Sequence, residues 1–220
     1  MNRREFFGTA GLAALAMGAL GLEGAVSQGL AAQAPGRGAS SAAGKSLEAA
    51  LRARQSQRAY SPEPLAEALL LDLLWSACGV NRPDGRRTAP TALNRQEVEV
   101  HVIRAEGHFL YDAQAGTLVR KSGQDLRRLA GTQAYAATAP VNLVYVADMD
   151  RVAGNGPEEK ILTAGLDTGY ISQNVYLFCA AAGLATVARA SLDAPALGKA
   201  LGLAPRQRIT LAQSVGHPKA

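Results

Sequence analysis

The segment AGLDTGYISQNVYLFCAAAGL, residues 164–184, is apolar or small on nearly every side of a helical wheel. A helix with that pattern is buried around most of its circumference, so the remaining elements are expected to pack around it. Gln173 and Asn174 are its only strongly polar interior pair.

Downstream, ATVARAS (185–191) reads as a short strand. DAPALGKALGL (193–203) reads as a helix with Asp193 as N-cap and Gly202 near its end, and QRITLAQSVGHP (207–218) as the last strand. Upstream, APVNLVYVAD (139–148) is continuously apolar, which marks a strand central in its sheet. In EVEVHVI (97–103), Val98, Val100 and Val102 alternate with polar residues, the pattern of a half-buried strand. HFLYDAQAGTLVRK is expected to form a hairpin turning at residues 113–116, and SGQDLRRLAG a short helix capped by Ser122 with Asp125 in its first turn. PLAEALLLDLLWSACG (64–79) has apolar residues at helical spacing and a terminal Gly79, SLEAALRAR begins at a candidate cap, Ser46, and residues 81–96 are rich in turn formers. Helices and strands mix without strict βαβ alternation, so the class is α+β.

The first 34 residues stand apart. Arg3 and Arg4 precede a short Gly/Ala/Leu run from Gly11 to Leu22 and a small-x-small site at Ala32 and Ala34, an export-signal pattern; a frayed N-terminal helix is the alternative. The apolar run is cut by Glu23 and is shorter than the roughly 20 residues a membrane span needs, so no stable membrane insertion is expected once the signal is removed. With Phe6 the pattern resembles the twin-arginine class, although Asn2 and Gly8 depart from it. That resemblance implies a periplasmic protein exported already folded, often with its cofactor bound. Residues 35–45 read as a flexible linker and 46–220 as one domain.

The chain has 220 residues, 48% hydrophobic and 19% charged, with a net charge of +5 and a pI of about 9.5. That composition excludes wholesale disorder and suffices for one domain with a proper core. Basic residues are scattered and aromatics are only 5%, so a small anionic ligand is a better partner than nucleic acid. Cys78 and Cys179 sit in apolar segments and read as small buried hydrophobes. His101, His108 and His217 lack ligand spacing with Cys, Asp or Glu, so no metal site is expected. Nucleophile-elbow, zinc-protease, phosphate-loop and dinucleotide fingerprints are absent.

In RARQSQR (52–58), Arg52, Arg54, Ser56 and Arg58 occupy alternate positions. Extended backbone throws such residues to one side, giving an edge suited to an anion; an exposed basic helix end is the alternative.

Four segments, in order, resemble the FMN-dependent nitroreductase superfamily and, within it, the branch grouped with thiazole/oxazole-forming dehydrogenases. They are RQSQR (54–58), like the family's R-x-S-x-R/K; APTALNRQE (89–97), like P-S-(A/S)-x-N-x-Q; DTGYISQNVYLFCAAAGLAT (167–186), like D-x-G-x-x-x-Q-N-L-x-L-x-A-x-x-x-G-L-G-T; and the closing LGLAPRQRITLAQSVGHPK (201–219). The resemblance implies a central, mostly antiparallel sheet flanked by helices in an intertwined homodimer. It further implies that Arg54 and Ser56 hold the FMN phosphate and ribityl chain, with Arg58 beside the flavin pyrimidine, where a cation raises the potential. Pro90, Thr91, Ala92 and Asn94 would reach the flavin of the neighbouring subunit, with Gln96 buttressing their loop. A backbone N–H at Ala190 or Ser191 would approach flavin N5, and Lys219 would close on the phosphate. Gln173 and Asn174 would serve the buried helix and dimer core. The chain departs from the pattern at Glu97, where the family commonly has Pro.

No side chain is implied as a catalytic nucleophile: hydride or electrons pass through flavin N5 in a ping-pong cycle between NADH or NADPH and a small organic acceptor such as a nitroaromatic or quinone. Export would deprive the enzyme of nicotinamide and call for a redox partner outside the cytoplasm. A non-enzymatic FMN carrier and a dehydrogenase of peptide azolines remain alternatives.

Overall fold

The computed structural model describes residues 45–219. The export signal and all but the last residue of the linker lie outside the described residues.

Six strands form one antiparallel sheet: β1 (Val98–Arg104), β2 (Gly107–Asp112), β3 (Thr117–Ser122), β4 (Val141–Asp148), β5 (Ala185–Arg189) and β6 (Gln207–Gly216), in the order β3-β2-β1-β4-β6-β5. The continuously apolar β4 lies between β1 and β6, with its first seven residues buried. Among the described residues five α-helices accompany the sheet: α1 (Leu47–Ala53), α2 (Glu67–Cys78), α3 (Ala134–Thr138), α4 (Pro157–Ala182) and α5 (Ala194–Leu201).

The caps follow sequence logic. Ser46 accepts the Ala49 N–H at the start of α1, and Asp193 accepts the Ala196 N–H at the start of α5. Gly183 and Gly202 end α4 and α5 in the left-handed conformation, at φ 72° and 70°.

The core lies on both faces of the sheet. On one, Val98, Val100, Val102, Leu143 and Tyr145 pack with Leu70, Leu73 and Leu74 of α2 and Ile171 and Val175 of α4. On the other, Ile103, Val144, Val146 and Ala212 pack with Leu126 and, from α5, Leu197.

Four expectations need correction. β1 is not half-buried, because it sits between β2 and β4 with both faces covered; His101 is buried and bonded through Nδ1 to Nε2 of buried His108 at 2.8 Å. α4 begins at Pro157, seven residues before the expected start, where Pro in the first turn and Glu158 and Glu159 suit a helix N-terminus. Within one chain α4 is not buried all round: Leu162, Leu166 and Tyr170 are 63%, 54% and 49% exposed, and Gln173 is also exposed. The segment after Ser122 contains one 3₁₀ turn, Arg127–Leu129, with the Asp125 carboxylate accepting the Arg127 N–H and pairing with its guanidinium.

Candidate functional site

Arg54 closes the C-terminal end of α1, and the chain then runs extended along the edge of β5, where the Gln57 N–H donates to the Thr186 carbonyl at 2.9 Å. The C-terminal segment comes alongside: Tyr60 forms a bridge with Pro218, and the Lys219 N–H donates to the Ala59 carbonyl. Residues from both ends of the sequence and from β5 thus border one surface. Ala190 and Ser191, just past the end of β5, are exposed, as are Ser56, Arg58 and Lys219.

Tyr176, on α4, organises this surface. Its hydroxyl accepts the Ala188 N–H at 2.9 Å and lies 2.9 Å from Ser56 Oγ, while the Arg54 guanidinium carbon is 5.4 Å from its ring centroid. The arrangement that leaves the tyrosine proton paired has Tyr176 donating to Ser56, which frees the Ser56 hydroxyl proton to donate outward. Arg54, Arg58 and Lys219 form no ion pair with a carboxylate among the described residues, unlike Arg52, which is held by Glu48 at 2.7 Å. Arg52 therefore belongs to the exposed face of α1. Three cations without a carboxylate partner on the segments that border this surface, with the Ser56 hydroxyl among them in sequence, are chemically suited to a phosphate.

Arg189 lies buried beneath this surface. It donates to the Ala130 carbonyl, Asn142 Oδ1 and Ser214 Oγ. Burial is the main cause of its lowered pKa. Neither Tyr176 nor Arg189 was singled out from the sequence. Nothing in QNVYLFC or ATVARAS distinguishes a tyrosine with a structural hydroxyl, or an arginine pointing inward, from surface residues of the same type.

The second expected group, Pro90 to Gln96, is fastened elsewhere. Thr91 Oγ1 accepts the Gln96 N–H at 2.9 Å; Gln96 Nε2 donates to the Gly85 carbonyl and to Asn94 Oδ1. The Ala92 N–H donates to Asp167 Oδ2 at 2.9 Å, and Arg151 Nη2 donates to the carbonyls of Arg95 and Gln96 at 2.8 and 3.0 Å. Leu93, Asn94 and Gln96 have φ of 52°, 54° and 50°, a left-handed conformation that costs a non-glycine residue on the order of 1–2 kcal/mol. Leu93 is 79% exposed. Asp167 precedes Tyr176 by nine residues on α4, about 13 Å along the helix axis, so the two groups are anchored at different levels of that helix.

Asn174 Nδ2 donates to the Ala77 carbonyl at 3.3 Å and serves helix packing, whereas Gln173 faces outward. Both cysteines are free and buried, and burial pushes the Cys78 thiol up to about 11. A cavity of about 240 Å³ lies along β1 and β2, lined by Arg87, Gln96, Glu99, Tyr111, Asp112 and Arg151 among others; it shares only Gln96 with the expected site residues. Among the described residues no group of three or more His, Cys, Asp or Glu could hold a metal ion. No described helix is long and apolar enough to cross a membrane.

Comparison with known proteins matches residues 51–217 to the model of the nitroreductase family. A protein of Methanocaldococcus jannaschii named as a candidate nitroreductase is 30% identical over 151 residues, covering 64% of this chain and 76% of the relative. The crystal structure of a candidate nitroreductase from Ralstonia eutropha superposes with a TM-score of 0.76 at 33% identity, covering 80% of this chain and 84% of the other. A similar fold, with a TM-score of 0.59 at 23% identity and coverage of 80% and 88%, is found in a candidate nitroreductase from Desulfovibrio desulfuricans crystallised in complex with FMN.

Proposed function

The chain belongs to the nitroreductase family, and from that premise we propose that it is an FMN-dependent oxidoreductase acting on a small organic substrate as a homodimer. The observation that carries the reading lies at the β5 edge: Ser56 is held at Tyr176 beside the Arg54 guanidinium, and exposed Arg58 and Lys219, also without carboxylate partners, lie on the adjoining segments.

These residues fit the cofactor. Arg54 and Lys219 supply charge, and Ser56 a hydrogen bond, to a dianionic phosphate. Arg58 brings a cation to the pyrimidine end of the ring, and the backbone N–H of Ala190, or of Ser191, serves as donor to the ring's central nitrogen. When bound, FMN supplies the hydride chemistry at its N5. The protein's part is to bind, orient and shield the ring, for which no side-chain nucleophile is required.

Pro90, Thr91, Ala92 and Asn94 are anchored through Asp167 at another level of α4 from Tyr176, and in this reading they complete the site of a second copy. The exposed face of Leu162, Leu166 and Tyr170, with open space over Gly165 and Gly169, is where that copy would pack. NADH or NADPH would serve as donor to a cytoplasmic enzyme. If the Arg3–Arg4 segment directs export, electrons come instead from a redox partner outside the cytoplasm, and fractionation of the native host for a shortened chain tests that point.

The deciding experiment is the visible spectrum of the purified chain, followed by anaerobic addition of NADH, NADPH and dithionite. A flavin spectrum bleached by a nicotinamide and restored by a quinone or nitroaromatic is expected of the enzyme. Flavin that is bleached only by dithionite points to a different donor or to a carrier. A colourless chain that FMN cannot reconstitute sinks the reading.

A further inference from the structure

We propose that Glu97 holds a proton that it donates to the Asp167 carboxylate, and that this proton fastens the 90–96 loop to α4. Glu97 is fully buried and Asp167 nearly so. No hydroxyl and no other residue's N–H donates to the Glu97 carboxyl; its own backbone N–H bears on it and lowers its pKa, and the carboxyl lies within hydrogen-bonding reach of the Asp167 carboxyl. Two buried carboxylates cannot face each other while both are ionised. With one proton between them, Glu97 donates to Asp167, and one of its two orphaned oxygens is explained.

The surroundings point the same way. The charged groups bearing on Glu97 are Asp167 from α4 and Arg151 from the turn after β4. Arg151 uses its Nη2 on the carbonyls of Arg95 and Gln96. From β4, Asp148 offers Glu97 only its backbone N–H, to the Glu97 carbonyl, and its own carboxylate is paired with Arg206. Burial, followed by the Asp167 carboxyl, raises the Glu97 pKa from 4.5 to about 7.

The proton matters because Asp167 Oδ2 holds the Ala92 N–H, the bond that ties the loop to α4. Loss of the proton sets two carboxylates against each other and pulls Asp167 from Ala92. The left-handed residues Leu93, Asn94 and Gln96 then lose the anchor that keeps them in a disfavoured conformation. Glu97 and Asp167 are positioning residues for the loop; the consequence for flavin binding rests on the FMN reading, but the carboxyl pair does not.

The sign follows from linkage. The closed loop holds the proton up to about pH 7, whereas a solvated glutamate in the open loop releases it above its ordinary value, near 4.3. Opening therefore becomes roughly tenfold easier per pH unit between these values and levels off above them.

Hydrogen–deuterium exchange of the peptide spanning 90–97, followed from pH 5 to 8 in the full chain, tests this in the wild type and in Glu97→Gln, whose amide donates to Asp167 without titrating. In the wild type, exchange should rise about tenfold per pH unit beyond the intrinsic rate up to about pH 7, while the variant follows the intrinsic rate and β4 stays protected in both. Identical pH dependence in the two proteins overturns the proposal. Should the variant fail to fold, the infrared spectrum of the wild type decides: a protonated-acid carbonyl band at pH 6 that vanishes by pH 8.5 supports the pair, and its absence at pH 6 overturns it. A colourless protein that keeps this behaviour overturns the FMN reading alone.

Discussion

Arg189 Nη2 lies 2.6 Å from Asn142 Oδ1, a contact between β5 and β4 that crosses over β6 in the interior of the sheet. Asn142 is itself fixed, donating to the Ala136 carbonyl at 2.8 Å and accepting from Ser214 Oγ at 2.7 Å. Every hydrogen-bond partner of the guanidinium is a neutral oxygen, and the Tyr135 ring, with its centroid 5.8 Å from the guanidinium carbon, adds a cation–π contact. Replacing Arg189 by Leu orphans the Ala130 carbonyl and one lone pair of Asn142, and should cost roughly 2–4 kcal/mol. Arg189→Lys recovers only part of this, because an ammonium cannot span the planar fork of acceptors. Urea denaturation of the two variants checks the order; a leucine variant as stable as wild type would remove Arg189 from the structural account.

Tyr176 joins α4 to both β5 and the Arg54–Arg58 segment through one hydroxyl. Tyr176→Phe keeps the ring under Arg54 but leaves the Ala188 N–H and Ser56 Oγ without their partner. About 1 kcal/mol of stability and about a fivefold loss in FMN affinity are expected, measured by thermal unfolding and by flavin fluorescence quenching. Unchanged affinity would show that Ser56 needs no positioning.

If Arg54 meets a phosphate, its removal should distinguish FMN from riboflavin. Arg54→Ala should weaken FMN binding by roughly ten- to a hundredfold, the scale of one charge-assisted hydrogen bond, and leave riboflavin binding nearly unchanged. Equal losses for both ligands would place Arg54 away from the phosphate.

The legible part of this architecture is periodic and local. Val98, Val100 and Val102 point to one core because alternation reports the face of a strand, and the i, i+2 spacing of Arg54, Ser56 and Arg58 is likewise visible in the string. The other face of β1 was misread because His101 finds its partner on β2, and Glu99 accepts from Gln207 across the sheet. A polar residue satisfied by a distant partner looks the same in sequence as one facing water. The early start of α4 was hidden in the polar PEEK stretch, although Pro157 and the acidic first turn were available as signals. Glu97 was noticed only as a departure from a family pattern; that it meets Asp167, seventy residues away, depends on the fold.

Stability should carry two opposing pH terms. Glu97, raised from 4.5 to about 7, contributes stability that is complete below 4.5 and is lost as pH rises to about 7. His108 is lowered from 6.5 to about 4, first by burial and then by the neighbouring His101 charge, so its contribution is present above 6.5 and is lost as pH falls towards 4. Between about 4.5 and 6.5 the two offset each other, with slopes of roughly 1 kcal/mol per pH unit. Glu97→Gln should therefore lose stability on acidification across this window, and His108→Gln should gain it, relative to a flatter wild type. Urea midpoints at pH 5 and 6.5 give the test, and parallel slopes for all three proteins would sink it.

The exposed face of α4 gives the last prediction. Leu162 and Leu166 are 63% and 54% exposed at i, i+4, beside Gly165 and Gly169, over which no atom lies within 4 Å. A lone helix gains nothing from such a face, whereas small residues flanked by leucines let a second helix approach closely. Leu166→Glu places a charge at the centre of that face, where its desolvation would oppose pairing. The wild type should run as a dimer in light scattering and the variant as a monomer. FMN affinity should fall with dimerisation, since Pro90, Thr91, Ala92 and Asn94 of one copy would no longer reach the site of the other. A monomeric variant that binds FMN as tightly as wild type would mean that Arg54, Ser56 and their neighbours form the site alone, and the strained 90–96 loop would then need another explanation.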